Sequence, residues 1–249
     1  MIKKLMILAV VLTVSFAFAT NLPAKEKESA SVEKTLKIAD KPEVLSAEEE
    51  RLALYEAFEA VNSSMPSQNV FTDALKGYEK LEAEDHIEKE ILTVVDFSLP
   101  STEKRMWILD MTTKKVLFHT YVSHGKNTGG KMATKFSNTP NSLQSSLGFY
   151  VTAETYYGKN GLSLFIDGME EGFNDNARDR YVVVHGADYA NPGAIKRLGR
   201  LGRSYGCPAV PTALSKDIIN TIKGKSVLFI YHPNKNYLQN SQFLNPQVA

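Results

Sequence analysis

The feature that most constrains the fold is a change of periodicity at residue 91. From there onward the chain consists of short segments rich in β-branched and aromatic residues, separated by Gly- and Asn-rich connections. Segments of this kind favour β-strands, and they do not alternate with helical patterns as a parallel α/β sheet requires. The predicted strands are 91–97, 105–110, 116–122, 147–153, 163–167, 181–184 and 227–231. The sequence therefore predicts a mostly β domain over residues 89–235, built as a sandwich or a partly closed barrel.

Helical patterns flank this domain. Ser46 and Glu49 form a capping box that opens an amphipathic stretch, and a second helical pattern covers 71–84. Together they predict a small helical prefix over residues 46–88 that packs on the main domain. One further helix is predicted near the C-terminus, capped by Thr212 and ended by Gly224. Residues 236–249 are predicted to be a C-terminal tail.

The N-terminus has the pattern of an export signal. Lys3 and Lys4 precede an almost unbroken apolar run over 5–18, and Ala17-Phe18-Ala19 provides the small residues of a cleavage site before Thr20. The alternative is a membrane anchor, but the run of about 14 residues is shorter than the roughly 20 that a spanning helix needs. We predict a signal peptide over 1–19, a flexible tether over 20–45, and a periplasmic or cell-wall-associated protein without stable membrane insertion.

Charge and metal-ligand spacing exclude other classes of function. The net charge is +1, which gives no indication of a nucleic-acid partner. The five histidines and the single cysteine lack the short paired spacings of structural zinc sites. The sequence therefore predicts no metal and no cofactor.

Cys207 is the only cysteine of the chain. Exported proteins usually pair their cysteines, so a lone thiol is either an inert buried side chain or is kept for its reactivity. It lies in Arg203-Ser204-Tyr205-Gly206-Cys207-Pro208, where small residues allow a sharp turn whose N–H groups face a ligand. A nucleophile beside amide donors is what acyl transfer requires.

His185 is the candidate base. It ends the apolar run 181–184, so a rigid strand would aim its ring at the rim of the core. As an imidazolium it would activate the thiol, with Arg200 and Arg203 adding positive charge nearby in sequence. The alternative is a core histidine with satisfied hydrogen bonds.

The pair of motifs His185-Gly186 and Ser204-Tyr205-Gly206-Cys207 resembles the murein L,D-transpeptidase catalytic domain family, the cysteine enzymes of peptidoglycan cross-linking. The general pattern of that family is a histidine followed by Gly, then Ser or Thr before His-Gly-Cys. Segments 123–125, 136–140 and 145–149 are similar to the substrate-facing strand and loop of the family. Segments 161–164 and 168–170 resemble a subgroup with Tyr or Trp in place of the second motif histidine. The resemblance covers residues 91–235.

The resemblance implies an L,D-transpeptidase-like fold and a set of residue roles. Cys207 becomes the nucleophile and His185 the general base, while Ser204, Tyr205 and Gly206 belong to the turn that holds the oxyanion. The arginine that many members carry after the cysteine is absent, so Arg200 or Arg203 is expected to bind the substrate carboxylate. His124, beside Gly125, and Gly186 complete the expected substrate-binding residues.

The resemblance also implies the partner and the reaction. Cys207 would attack the third residue of a tetrapeptide stem of peptidoglycan, release the terminal D-alanine and form a thioester. An acceptor amine would then give a cross-link, whereas water would make the protein an L,D-carboxypeptidase. A catalytically idle cell-wall binding module is a further alternative, motivated by Tyr205 in place of histidine. A papain-like protease is disfavoured, because there the cysteine precedes the histidine.

Overall fold

A computed structural model describes residues 45–245 of the protein. The predicted signal peptide, the predicted tether apart from Leu45, and residues 246–249 lie outside the described residues. Between residues 45 and 245, no helix has the length and the apolar character needed to cross a membrane.

Within residues 45–245, two helices precede the sheet, α1 (Ala47–Glu59) and α2 (Gln68–Ala83). The predicted capping box is formed: the Ser46 side chain accepts from the N–H of Glu49, and the Glu49 carboxylate accepts from the N–H of Ser46. Both helices pack through aromatic edges, with Phe58 lying 5.4 Å from Phe71 between ring centroids. Their buried side chains belong to the same apolar core as the strands, so the prefix extends the core of the β domain.

Eight strands follow and form one sheet. They are β1 (Ile91–Asp96), β2 (Met106–Asp110), β3 (Lys115–Thr120), β4 (Gly148–Gly158), β5 (Gly161–Gly168), β6 (Val183–Ala187), β7 (Ala209–Pro211) and β8 (Val227–Tyr231). The strand order is β3-β2-β1-β8-β4-β5-β6-β7. Neighbouring strands are antiparallel except for the parallel pairs β1–β8 and β6–β7.

The two edges of this sheet approach each other. The chain directly after β3 pairs with the region of β7 through a bridge between Ser123 and Ala209 and another between Gly125 and Ser204. The sheet is therefore a nearly closed barrel, and the prediction of a mostly β, partly closed barrel is confirmed.

Three helices lie among and after the later strands: α3 (Pro192–Leu198), α4 (Thr212–Ile222) and α5 (Lys235–Asn240). Helix α4 is the predicted C-terminal helix, and it buries Ile218, Ile219 and Ile222. Thr212 is its first residue rather than its N-cap, which is Pro211, and the Thr212 hydroxyl donates to Asp188 at 2.7 Å. The other two helices are short and were not predicted.

The segment assigned to a C-terminal tail packs on the β domain as far as it is described. The Tyr237 hydroxyl donates to the buried carboxylate of Glu170 at 2.9 Å, and the Phe243 ring lies 5.1 Å from the Phe149 ring. This segment therefore contributes side chains to the core.

Candidate active site

Cys207 lies on a turn that the Ser204 side chain fixes from within. The Ser204 hydroxyl donates to the Cys207 carbonyl at 2.6 Å and accepts from the Gly206 N–H at 3.1 Å. The backbone of Ser204 is in turn tied to the other edge of the barrel, since its N–H donates to the His124 carbonyl at 3.0 Å. The turn is thus held in one conformation by the closure of the sheet.

Gly206 is required by the shape of this turn. Its φ of +133° lies in a region that favours glycine, and an added Cβ would lie 2.9 Å from the Gln144 carbonyl oxygen. The Gly206 carbonyl also accepts from the Ser145 hydroxyl at 2.9 Å. Since the Gly206 N–H is bound to Ser204, the N–H groups left for a ligand are those of Tyr205 and Cys207, which make no hydrogen bond to another residue among residues 45–245.

His185 is held by strand pairing on both sides. It is paired with Ser163 of β5 and with Ala209 of β7, two residues after Cys207. Its Nδ1 lies 2.9 Å from the Gly186 carbonyl oxygen, and a carbonyl can only accept, so Nδ1 carries the hydrogen. Nε2 is then the unprotonated nitrogen of the neutral ring. Burial lowers the pKa of His185, against the opposing effect of the Gly186 carbonyl.

Cys207 is a partly exposed residue, and its thiol donates to the Tyr181 carbonyl oxygen at 3.5 Å. Burial of the sulfur raises the pKa of Cys207, while the Val183 N–H and the Arg180 charge act in the lowering direction. With the pKa of His185 lowered and that of Cys207 raised, the resting pair is a neutral thiol and a neutral imidazole. The expectation of an activating imidazolium is corrected here, since burial disfavours that charged form.

Cys207 and His185 line one open cavity of about 630 Å³. Tyr189 and Tyr205 stand beside them. The charged residues of the lining are all cationic: Lys126, Lys159, Arg200 and Arg203. The cavity is therefore suited to a ligand that carries carboxylates.

The predicted arginines reach the cavity with part of their guanidinium groups already engaged. Arg203 donates through Nη1 to the carbonyl oxygens of Lys126 and Gly129, both at 2.9 Å. Arg200 donates through Nη1 to the Leu201 carbonyl oxygen at 2.7 Å. Their remaining N–H groups leave room for a substrate carboxylate.

Tyr205 occupies the rim of the cavity. Its side chain is 72% exposed, and the Lys126 ammonium lies 4.7 Å from the centre of its ring. The phenol therefore faces solvent, while the backbone of the same residue belongs to the turn.

Two predicted substrate-binding residues lie elsewhere. His124 is 1% exposed and its Nδ1 lies 2.8 Å from Arg105 Nη2, so it belongs to a buried polar cluster rather than to the cavity. Burial and the Arg105 charge lower the pKa of His124 to about 4. Gly186 faces α4, because an added Cβ would lie 2.6 Å from the Ser215 hydroxyl. The Gly186 carbonyl oxygen instead accepts a hydrogen bond from Nδ1 of His185.

Tyr189 and Arg180 were not predicted from the sequence. Tyr189 lines the cavity, and burial raises the pKa of Tyr189 to about 12, with the ionised forms of Cys207 and Tyr205 acting in the same direction. Arg180 acts electrostatically on Cys207 from outside the cavity. Its only sequence signal is its place directly before the 181–184 run, which does not reveal where its side chain lies.

The cavity residues allow nucleophilic acyl transfer. They include a thiol, an imidazole with a free nitrogen, and unpaired N–H groups within the same turn. Within residues 45–245, no group of three or more His, Cys, Asp or Glu side chains is arranged to hold a metal ion.

The sequence matches the family model of the L,D-transpeptidase catalytic domain over residues 62–231. No curated protein matches the chain. Among solved structures, an L,D-transpeptidase from Mycobacterium smegmatis is 14% identical, with a TM-score of 0.36. The matched region covers 57% of this chain and 59% of that structure's chain. L,D-transpeptidase 1 from Mycobacterium tuberculosis is 11% identical, with a TM-score of 0.33, and the matched region covers 57% of this chain and 62% of that structure's chain. The L,D-transpeptidase from Xylanimonas cellulosilytica, residues 123–326, is 14% identical, with a TM-score of 0.32, and the matched region covers 73% of this chain and 93% of that structure's chain. The matched part is thus less than two thirds of the first two structures.

Proposed function

The chain belongs to the L,D-transpeptidase catalytic domain family, and we propose that it is an exported enzyme that transfers acyl groups of peptidoglycan stem peptides through a thioester on Cys207. The observation that carries this proposal is a single one. The only cysteine of the chain and a strand-held histidine with a free ring nitrogen line the same open cavity.

Acylation begins from the neutral pair. His185 Nε2 takes the thiol proton as the sulfur attacks the carbonyl carbon of the third stem residue, so that a C–S bond forms and the carbonyl oxygen becomes an oxyanion. The N–H groups of Tyr205 and Cys207 are the donors that would hold this oxyanion. The C–N bond to the terminal D-alanine then breaks, and the imidazolium returns the proton to the leaving amine. The products of this half-reaction are a thioester and free D-alanine.

Deacylation repeats the sequence with an incoming amine. His185 takes a proton from the amine as its nitrogen attacks the thioester carbon, the C–S bond breaks, and the sulfur recovers a proton from the imidazolium. The product is a cross-linked stem. Water in place of the amine gives the L,D-carboxypeptidase outcome with the same residues.

The charge of the cavity supports a carboxylate-bearing substrate. Lys126, Lys159, Arg200 and Arg203 line it without an acidic side chain. The terminal carboxylate of a tetrapeptide stem would find a guanidinium or ammonium partner there, and guanidinium forks suit carboxylates geometrically.

Mass spectrometry of muropeptides tests the proposal. Purified protein incubated with a tetrapeptide-bearing muropeptide is expected to release D-alanine and to give a cross-linked dimer, or a tripeptide if water is the acceptor. Incubation with a carbapenem, whose β-lactam carbonyl is open to the same attack, is expected to add one acyl group to the peptide that contains Cys207.

The control is Cys207→Ala. Full turnover by this variant would refute Cys207 as the nucleophile. If the wild-type protein forms no acyl adduct yet binds peptidoglycan, the cell-wall binding module is the correct function. Export is tested separately, because N-terminal sequencing of the mature protein is expected to begin at Thr20.

A further inference from the structure

Arg180 lies beside the Cys207 turn in a frame of neutral acceptors. Its Nη2 donates to the Gln144 carbonyl oxygen at 2.6 Å and to the Ser142 hydroxyl at 3.3 Å. Its Nη1 donates to the Ser137 carbonyl oxygen at 2.8 Å and to the Ser146 hydroxyl. Four hydrogen bonds fix the guanidinium, and none of them neutralises its charge.

This cation has no carboxylate partner within the part of the chain that the structure describes. Arg178, two residues earlier, differs in this respect, since it pairs with both Glu154 and Asp167. A half-buried charge without a counter-ion is costly to the fold, so a neighbouring group that becomes negative would be strongly favoured. The groups of this kind that Arg180 acts on are Tyr150 and Cys207.

Tyr150 does not serve as that anion. It is fully buried and does not line the cavity, so neither solvent nor His185 reaches its hydroxyl to take the proton. Cys207 is partly exposed and faces a cavity. The thiol is therefore the group whose ionisation Arg180 favours.

Two geometric relations place Arg180 beside the turn that carries the thiol. A Cβ built on Gly206, the residue before Cys207, would lie 3.6 Å from Arg180 Nη2. The Cys207 sulfur donates to the carbonyl oxygen of Tyr181, the residue after Arg180. The positive φ of 53° at Tyr181 turns the chain sharply between the guanidinium and the acceptor of the thiol.

We propose that Arg180 is a positioning residue whose uncompensated charge stabilises the Cys207 thiolate as the proton passes to His185. The role of Arg180 in turnover rests on the proposed function, whereas the experiment that tests this inference does not. The cavity side of the sulfur is faced by His185 and Tyr189, with Lys126, Lys159, Arg200 and Arg203 in the same lining. Arg180 differs from these cations because it approaches from behind the turn, where substrate does not compete for it.

The test is the pH profile of alkylation by iodoacetamide, which reacts with the thiolate. Because Cys207 is the only cysteine, the rate reports this one sulfur. Arg180→Gln is expected to move the midpoint of the profile upward by roughly one pH unit and to slow alkylation at neutral pH roughly tenfold. Arg178→Gln is the matched control, since it removes the same charge two residues away, and it is expected to leave the midpoint unchanged.

A second variant keeps the test valid if Arg180→Gln does not fold. Ser142→Asp places a carboxylate next to Arg180 Nη2 and neutralises the guanidinium while leaving it in place. If the proposal is correct, this variant has a midpoint above that of the wild type. A midpoint equal to that of the wild type, in folded Arg180→Gln or in folded Ser142→Asp, overturns it. Alkylation needs no peptidoglycan, so a protein without transpeptidase activity would still show whether Arg180 acts on the thiol.

Discussion

Replacing Gly206 by alanine tests whether the turn that carries Cys207 depends on a residue without a side chain. The added Cβ would lie 2.9 Å from the Gln144 carbonyl oxygen, well inside the 3.4–4 Å of an ordinary contact. The neighbour is backbone and cannot rotate away. The φ of +133° is in addition a conformation that L side chains rarely adopt.

The magnitude follows from these two effects and from one hydrogen bond. A non-glycine residue in such a conformation costs about 1–3 kcal/mol. Displacement of the Gly206 carbonyl also weakens its hydrogen bond from Ser145, worth about 1 kcal/mol. We therefore expect the free energy of unfolding to fall by about 2–4 kcal/mol. Because Cys207 is the next residue, a shift of about 1 Å in the turn would also slow acylation, by an amount on the order of 100-fold.

Urea unfolding and the rate of carbapenem adduct formation measure the two effects. Gly130→Ala is the matched control, because no atom lies within 4 Å of a Cβ at this exposed position. It is expected to change the free energy of unfolding by less than about 1 kcal/mol and to leave acylation intact. Equal stability and equal acylation rates in the two variants would refute the reasoning about Gly206.

Three further predictions concern the same turn and its base. His185→Gln is expected to slow acylation about 10²–10⁴-fold. The wild-type acylation rate should form a plateau across neutral pH, because the pKa of His185 is lowered and that of Cys207 is raised. The kinetics of carbapenem acylation against pH check both expectations, and a narrow pH optimum would contradict a neutral thiol and a neutral imidazole. Ser204→Ala removes hydrogen bonds to Gly206 and Cys207 and is expected to cost about 1–3 kcal/mol in urea unfolding; an unchanged midpoint would show that the turn holds without them. Tyr205→His is expected to change the acylation rate less than about threefold, because the side chain faces solvent and the backbone N–H is retained; a large change would give the phenol a direct role.

Most of the sheet could be predicted because its strands are apolar runs with clear ends. The run 227–231 became the central strand β8, and its burial on nearly every position explains why the sequence shows no alternation there. Strand β7 was missed for the opposite reason. It has three residues between Pro208 and Thr212, so no periodicity can develop, and its pairing with β6 comes from distant parts of the chain.

The candidate site was predicted in part for similar physical reasons. Local sequence indicated that Cys207 lies on a tight turn, because Gly206 and Ser204 are small. It could not indicate that His124 is buried, since this depends on Arg105, which lies directly before β2 and donates to the Val122 carbonyl oxygen. The local sequence also could not show that Arg180 and Arg178 differ in their ion-pair partners. Only the fold gives Arg178 two carboxylates and Arg180 none.

The closure of the barrel and the chemistry of the cavity depend on the same backbone. The bridges that join Ser123 to Ala209 and Gly125 to Ser204 are the contacts that hold the Cys207 turn in place. The parallel register of Ala209 with His185 then sets where the imidazole stands relative to the sulfur. Because side chains alternate between the two faces of a strand, a slip of one residue in this register would turn His185 away from the cavity. The short strand β7 is thus the element through which the fold determines the distance between base and nucleophile.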